Sequence, residues 1–162
     1  MGAKGLKKTL AIETASAGVH GGKHSLKITV NKDSHESGGL FTRLKKGRDQ
    51  LFARMYIKFA FDYQYESHTG FMMTASTDKT PWFNGSAGIV PRGDDRFSGT
   101  LEPEPAGGEK PPGHWTLYSY WHEMKGRWGN NLGSKNQIHV PRDQWICIEL
   151  MLKANSTPQK PG

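Results

Sequence analysis

The chain has 162 residues, 35% of them hydrophobic and 10% aromatic, with 20 Gly, 9 Pro, a single Cys and a formal net charge of +7. That length suits one domain, residues 1–162, able to bury roughly 70% of its unfolded surface, and argues against most two-domain enzymes. Apolar runs are only a few residues long, so the sequence reads as soluble, without a membrane-spanning helix or a secretory leader. Cys147 has no partner for an internal disulfide and no companion for a Cys-x-x-Cys metal site.

The charge is uneven. Residues 1–50 carry ten Lys/Arg against four Asp/Glu, and residues 51–162 carry twelve against eleven. The excess lies in tracts such as Lys7-Lys8 and Lys45-Lys46-Gly47-Arg48, which read as solvated turns or edges, with residues 1–23 a flexible or edge segment. Stacking aromatics are not interleaved with these cations, so neither a nucleic-acid nor a membrane partner is expected, and the protein reads as a monomer.

In chain order, period-two alternation predicts strands over His24–Val30, Gly39–Leu44, Leu51–Phe61, Gly70–Ala75, His114–Met124 and Trp145–Lys153. Between them lie the turn-forming stretches HESGG, TDKTPWFNGSAG, PRGDD, EPEPAGGEKPPG and GRWGNNLGSK. No segment has a helical period with caps. Amphipathic strands of this kind bury their apolar faces against a second sheet, so the expected fold is an all-β antiparallel sandwich.

Alternation also sorts side chains by face. Leu51, Ala53, Met55, Ile57 and Phe59 form one face of their strand, and Phe52, Arg54, Tyr56 and Lys58 the other. His114, Thr116, Tyr118, Tyr120 and His122 share a face, and Glu149 lies opposite the Ile146–Leu152 apolar set. A sheet face rich in Tyr, His, Arg, Lys and Glu suits sugar recognition, since rings cover pyranose faces while charged groups bind hydroxyls and carboxylates. It also suits an ordinary solvated face. Trp82 and Trp128, in Gly-rich loops, are candidate saccharide contacts at a groove rim. Asp94 and Asp95, with Glu102 and Glu104 nearby, could supply oxygen ligands to a structural calcium ion. No glycosidase carboxylate strand, H-E-x-x-H zinc motif or phosphate-binding Gly loop is found.

The segments LFARMYIKFAFDYQYESHTGF, GDDRFSGTLEP, PPGHWTLYSYWHEM and RDQWICIELMLKANSTP, with the likeness spanning residues 24–157, resemble the concanavalin A-like jelly-roll superfamily, and within it the polysaccharide lyases of the alginate-lyase and glucuronan-lyase kind. Relatives of that kind carry a closing strand pair after the last of these segments, so a C-terminal hairpin is expected to be missing here. Gln137-Ile138-His139 repeats a tripeptide of alginate lyases but follows the Tyr-rich strand, and reads as coincidental; the family's Arg-x-Glu-x-Arg strand has no counterpart.

The resemblance implies β-elimination on a uronate-containing polysaccharide by a secreted or extracellular protein that requires no cofactor and could hold a structural calcium ion. That chemistry needs a group to neutralise the carboxylate, a base for the C5 proton and an acid for the leaving oxygen. Arg54, His122 and Tyr120 are the expected catalytic set, with Lys58 an alternative neutraliser, His68 an alternative base and Tyr118 or Tyr56 alternative acids. Tyr56, Lys58, His68, Tyr118, Glu149, Trp82 and Trp128 are the expected substrate contacts. A carbohydrate-binding module or lectin, stacking sugars on the same face without proton transfer, is the alternative.

Overall fold

The computed structural model describes residues 2–4 (backbone only), 9–30, 39–66, 68–77, 87–105, 108–133 and 137–154. Regular structure among them is almost entirely antiparallel β, with one 3₁₀ turn at Ser16–Gly18. The chain divides into two compact units, residues 1–48 and residues 49–162.

Residues 1–48 form two strand pairs. β1 (Gly2–Lys4) pairs with β4 (Gly39–Phe41), and β2 (Leu10–Glu13) pairs with β3 (Ser25–Ile28). The register places Leu10 opposite Ile28 and Ile12 opposite Leu26, so one face of the second pair is aliphatic. At its turn, the Glu13 carboxylate accepts the N–H groups of Ala15 and Thr14, each at 2.9 Å, and these bonds hold its pKa below the usual range.

Residues 49–162 form two layers. β5 (Gln50–Ile57) pairs with β10 (Ile146–Lys153), and β6 (Phe71–Ser76), β7 (Arg96–Glu104), β8 (His114–Tyr120) and β9 (Asn130–Gly133) make a four-stranded sheet in that order. Ile146, Ile148, Leu150 and Leu152 lie opposite Ile57, Met55, Ala53 and Leu51, so the two strands present one continuous apolar face. The four-stranded sheet answers with Phe71, Met73, Phe97, Leu101, Pro103, Trp115 and Leu117. A Cβ on Gly99 of β7 would stand 3.5 Å from Leu152 Cδ1, which fixes these as the facing surfaces of a sandwich-like pair of layers.

Phe59, just past β5, anchors one end of this core. It is buried, its ring lies 4.9 Å from Tyr63 and 6.0 Å from Trp115, and its carbonyl accepts the Asp143 N–H at 2.7 Å. Phe59→Ala is expected to destabilise the fold by about 3–5 kcal/mol, since a dense aromatic contact leaves a cavity that cannot collapse. The midpoint of a urea unfolding curve checks this, and a change under 1 kcal/mol would mean the ring is not core.

Three strand ends differ from the sequence expectation by three residues or more, and one of them is the strand from Gly39, which stops at Phe41 and not at Leu44. The strand from His114 stops at Tyr120, because Met124 N–H turns back to the Trp121 carbonyl at 3.2 Å. The strand from Leu51 ends at Ile57. Among the strands not expected is β7, nine residues long and interior to its sheet. Its Pro103 argues against a central strand, yet the register explains it. Trp115, opposite Pro103, sends its N–H to Ile138 instead of β7, and β6 reaches only as far as Leu101, so the missing proline N–H costs no ladder bond.

Candidate functional site

The face of β7 and β8 turned away from the β5–β10 layer carries Arg96, Ser98, Thr100, Glu102 and Glu104 beside His114, Thr116, Tyr118 and Tyr120, with Glu102 opposite Thr116 and Thr100 opposite Tyr118. Glu102 is only 5% exposed, and a carboxylate so placed needs a partner, because burying an unpaired charge costs several kcal/mol. The partner is His68, whose Nδ1–H donates to Glu102 Oε2 at 3.3 Å.

His68 reaches that position from the segment between β5 and β6 with φ at 63°, in the left-handed region that costs a side-chain-bearing residue about 1–2 kcal/mol. Strain of this kind collects at functional sites. The hydrogen bond to Glu102 raises the His68 pKa above its ordinary value of 6.5, against burial, which opposes it, with the Glu102 and Glu66 charges adding to the rise. Since Nδ1 carries the proton given to Glu102, Nε2 is the nitrogen left to accept one.

Next to this dyad stands a tyrosine pair. The His68 and Tyr118 rings lie 4.9 Å apart, and Tyr118 meets Tyr120 edge to face at 5.6 Å with their hydroxyls 3.3 Å apart. Backbone donors hold both hydroxyls, Gly129 N–H at 3.1 Å on Tyr118 and Gly88 N–H at 3.4 Å on Tyr120, while the Arg96 guanidinium sits 5.6 Å from the Tyr120 ring. The two phenols are pushed apart in acidity. Burial, then the Tyr120 hydroxyl, drives the Tyr118 pKa well above the ordinary tyrosine range. Burial also pushes Tyr120 up, but the hydrogen bonds from Tyr118, Gly129 and Gly88 and the Arg96 charge together outweigh it and leave Tyr120 lowered. Tyr118 is therefore the less acidic phenol of the pair and Tyr120 the more acidic.

Trp128 borders the same place. The residue is 57% exposed, a Cβ on Gly88 would lie 3.3 Å from its ring, and the Arg127 guanidinium stands 5.3 Å from the ring centroid. An exposed indole beside a cation and two phenols can cover the apolar face of a ring-shaped ligand that carries an anion.

The structure brings together His68, Tyr118, Tyr120 and Trp128 of the expected residues, and places Arg54, Tyr56, Lys58 and Glu149 on or just past the β5–β10 strands. Arg54 and Glu149 are a cross-strand pair on the outer face of β5–β10, Nη2 to Oε1 at 2.6 Å, so the Arg54 charge is already matched and lies across the apolar interior from Tyr120. That hydrogen bond, then the Glu149 charge, raises the Arg54 pKa. Tyr56 lies on the same outer face opposite Cys147, and Lys58 pairs with Asp143 at 3.2 Å. The physical reason for the split is that each layer has its own outer face, and alternation within a strand does not say which outer faces coincide. His122 lies past the end of β8, packed where a Cβ on Gly93 would meet its ring at 3.3 Å, with the Glu123 carboxylate at 3.9 Å. Trp82 lies outside the described residues.

Asp95 is buried, and its Oδ1 accepts the N–H groups of Arg92 and Arg96, each at 2.8 Å. Arg92 Nε approaches Asp95 at 3.6 Å and Asp94 at 3.8 Å. Two carboxylates turned to one guanidinium do not fit the six to eight oxygen ligands of calcium, and no group of three or more His, Cys, Asp or Glu among the described residues is arranged for a metal ion. The pair closes a turn before β7.

Sequence reasoning missed Glu102, Arg96, Arg127, Gly88 and Gly129 as parts of this site. For the first two the signal was the alternation in RFSGTLEPE, masked by its glycine and its proline; for the glycines there was none. No helix among the described residues is long and apolar enough to cross a membrane. Compared with protein-family models, curated proteins and solved structures, the chain gives no match.

Proposed function

We propose that the protein is carbohydrate-active and lyase-like, binding an acidic, uronate-containing polysaccharide over the polar face of the four-stranded sheet and cleaving it by β-elimination. The observation that carries this reading is the meeting, on one face, of a histidine bonded to a buried carboxylate with a tyrosine whose hydroxyl is paired to a second tyrosine. Base and acid stand side by side.

In this reading His68 Nε2 takes the C5 proton, with Glu102 holding the ring in the required tautomer and stabilising the imidazolium that forms. The electron pair left at C5 forms the C4–C5 double bond as the C4–oxygen bond breaks. Tyr118 gives its proton to the departing oxygen, and Tyr120, the more acidic phenol, shares its hydrogen with the tyrosinate left behind. Arg127 neutralises the uronate carboxylate that must be quenched before C5 becomes acidic, and Trp128 carries a sugar ring. The resemblance to concanavalin A-like jelly rolls belongs to this reading, and a polymeric substrate implies an extracellular site of action. The exposed Trp128 serves a second reading equally well, a binding module without proton transfer.

The test is ultraviolet absorbance of new unsaturated uronate ends, with the protein incubated against glucuronan, alginate, pectate and glycosaminoglycans. A rise on one polymer is the expected result. Retardation in gels containing that polymer with no rise in absorbance would leave only the binding module.

A further inference from the structure

The chain's entire charge excess belongs to one of its two units. Residues 1–48 hold ten Lys/Arg against three Asp/Glu, a net charge of +7, whereas residues 49–162 hold twelve of each and are formally neutral. The boundary between the units is drawn by packing and owes nothing to charge, so their coincidence is an independent observation.

Within the cationic unit the described side chains of Lys23, Lys27, Arg43, Lys45, Lys46 and Arg48 are all exposed. The described acid, Glu13, has its carboxylate turned onto the N–H groups of Thr14 and Ala15. An excess of seven charges on fewer than fifty residues is costly through self-repulsion and is relieved by a polyanion.

We infer that residues 1–48 form an electrostatic tether that binds the same acidic polysaccharide as the chemically distinct site of residues 49–162. The identity of the polyanion rests on the reading proposed above and on the make-up of the unit. Eight of its ten cations are Lys and two are Arg, so the unit offers mainly spaced, compact point charges. Phe41 is its single aromatic residue, so it lacks the stacking platforms of single-strand nucleic-acid binders. Its described residues form short strands and a three-residue 3₁₀ turn, without a helix to enter a duplex groove. Linking a weak, salt-sensitive contact to the site raises the local polymer concentration without new contacts at the site itself.

The test uses the full chain. Binding to alginate is measured by co-sedimentation across a salt series for the parent protein, for K45E/K46E/R48E, and for K110E/K125E/K153E. The second variant places the same charge change on exposed positions of residues 49–162. The expected result is a loss of about tenfold or more in alginate affinity at low salt, with a shallower salt slope, for the first variant and a loss of less than about threefold for the second. Equal losses in both would show that net charge alone acts and overturn the tether, as would no loss in the first. Parent binding to duplex DNA or phosphatidylserine vesicles as tight as to alginate at the same salt would overturn the polysaccharide assignment. Turnover of a short oligouronate separates this proposal from the function itself: tethering leaves that turnover unchanged in K45E/K46E/R48E, whereas alginate binding by a parent protein that turns over no oligouronate leaves the tether standing and removes the lyase.

Discussion

Replacing His68 by alanine is expected to lower the rate of elimination by about 10²–10⁴-fold, the contribution of a positioned general base, while retention on the polymer falls far less. The expectation rests on one geometry, in which Nδ1–H is given to a buried carboxylate at 3.3 Å and the opposite nitrogen is left to take a proton. Glu102→Gln is the more informative partner experiment. In the parent protein the hydrogen bond to Glu102 is the largest cause raising the His68 pKa above 6.5, so the acidic limb of the pH–rate profile lies above that value and the rate climbs as His68 loses its proton. Glutamine removes the charge, so the limb moves toward lower pH and the plateau drops, because the base is weaker and its tautomer less firmly held. Stability has the matching sign. A histidine whose pKa is raised by folding stabilises the fold fully below its unfolded value, and that contribution fades as pH rises through the raised one. A pH–rate profile that does not move in Glu102→Gln would show that His68 is not the base.

The strand pattern was legible because it depends on residues two apart, which any single stretch displays. The alternation in LFARMYIKFAF and WICIELMLK correctly separates the apolar face of β5 and β10 from Arg54 and Glu149, and that in HWTLYSY places Tyr118 and Tyr120 together. What could not be read is how the strands are stacked. Arg54 and Tyr120 each lie on a polar face, and only the packing of Leu152 against Gly99 reveals that these faces look in opposite directions. Glu102 was hidden for a different reason. Its strand contains Gly99 and Pro103, both turn signals, and their tolerance depends on the partner register of Trp115 and on where β6 ends, neither of which is a local property. His68 was recognised by residue type, but its left-handed backbone and its reach to Glu102 follow from tertiary structure alone.

Gly129→Ala is expected to do nearly as much damage to the site as removing a catalytic side chain, from a residue with no side chain at all. Its Cβ would lie 2.6 Å from Tyr118 Cζ, 2.8 Å from Tyr120 Cε2 and 2.9 Å from the Ser119 carbonyl oxygen. Both rings and a backbone atom stand in the way, so no single rotamer change relieves the clash. The tyrosine pair must be displaced and the 3.1 Å bond from Gly129 N–H to the Tyr118 hydroxyl lost. Overpacking of this kind costs about 1–3 kcal/mol of stability, and a shift of the acid by 1 Å costs on the order of 10²-fold in rate. Gly126→Ala provides the contrast. Gly126 has φ at 77° with nothing within 4 Å of its Cβ, so alanine there meets only the backbone penalty of about 1–2 kcal/mol and leaves the tyrosines in place. Spectrophotometric titration of the phenols distinguishes the two variants. In the parent protein and in Gly126→Ala, Tyr118 ionises above the ordinary tyrosine value of about 10 and Tyr120 below it; in Gly129→Ala the two converge, because the bonds and burial that separate them are gone. Elimination that survives in Gly129→Ala while the titration converges would take the acid's role away from Tyr118 and leave the pair to hold substrate.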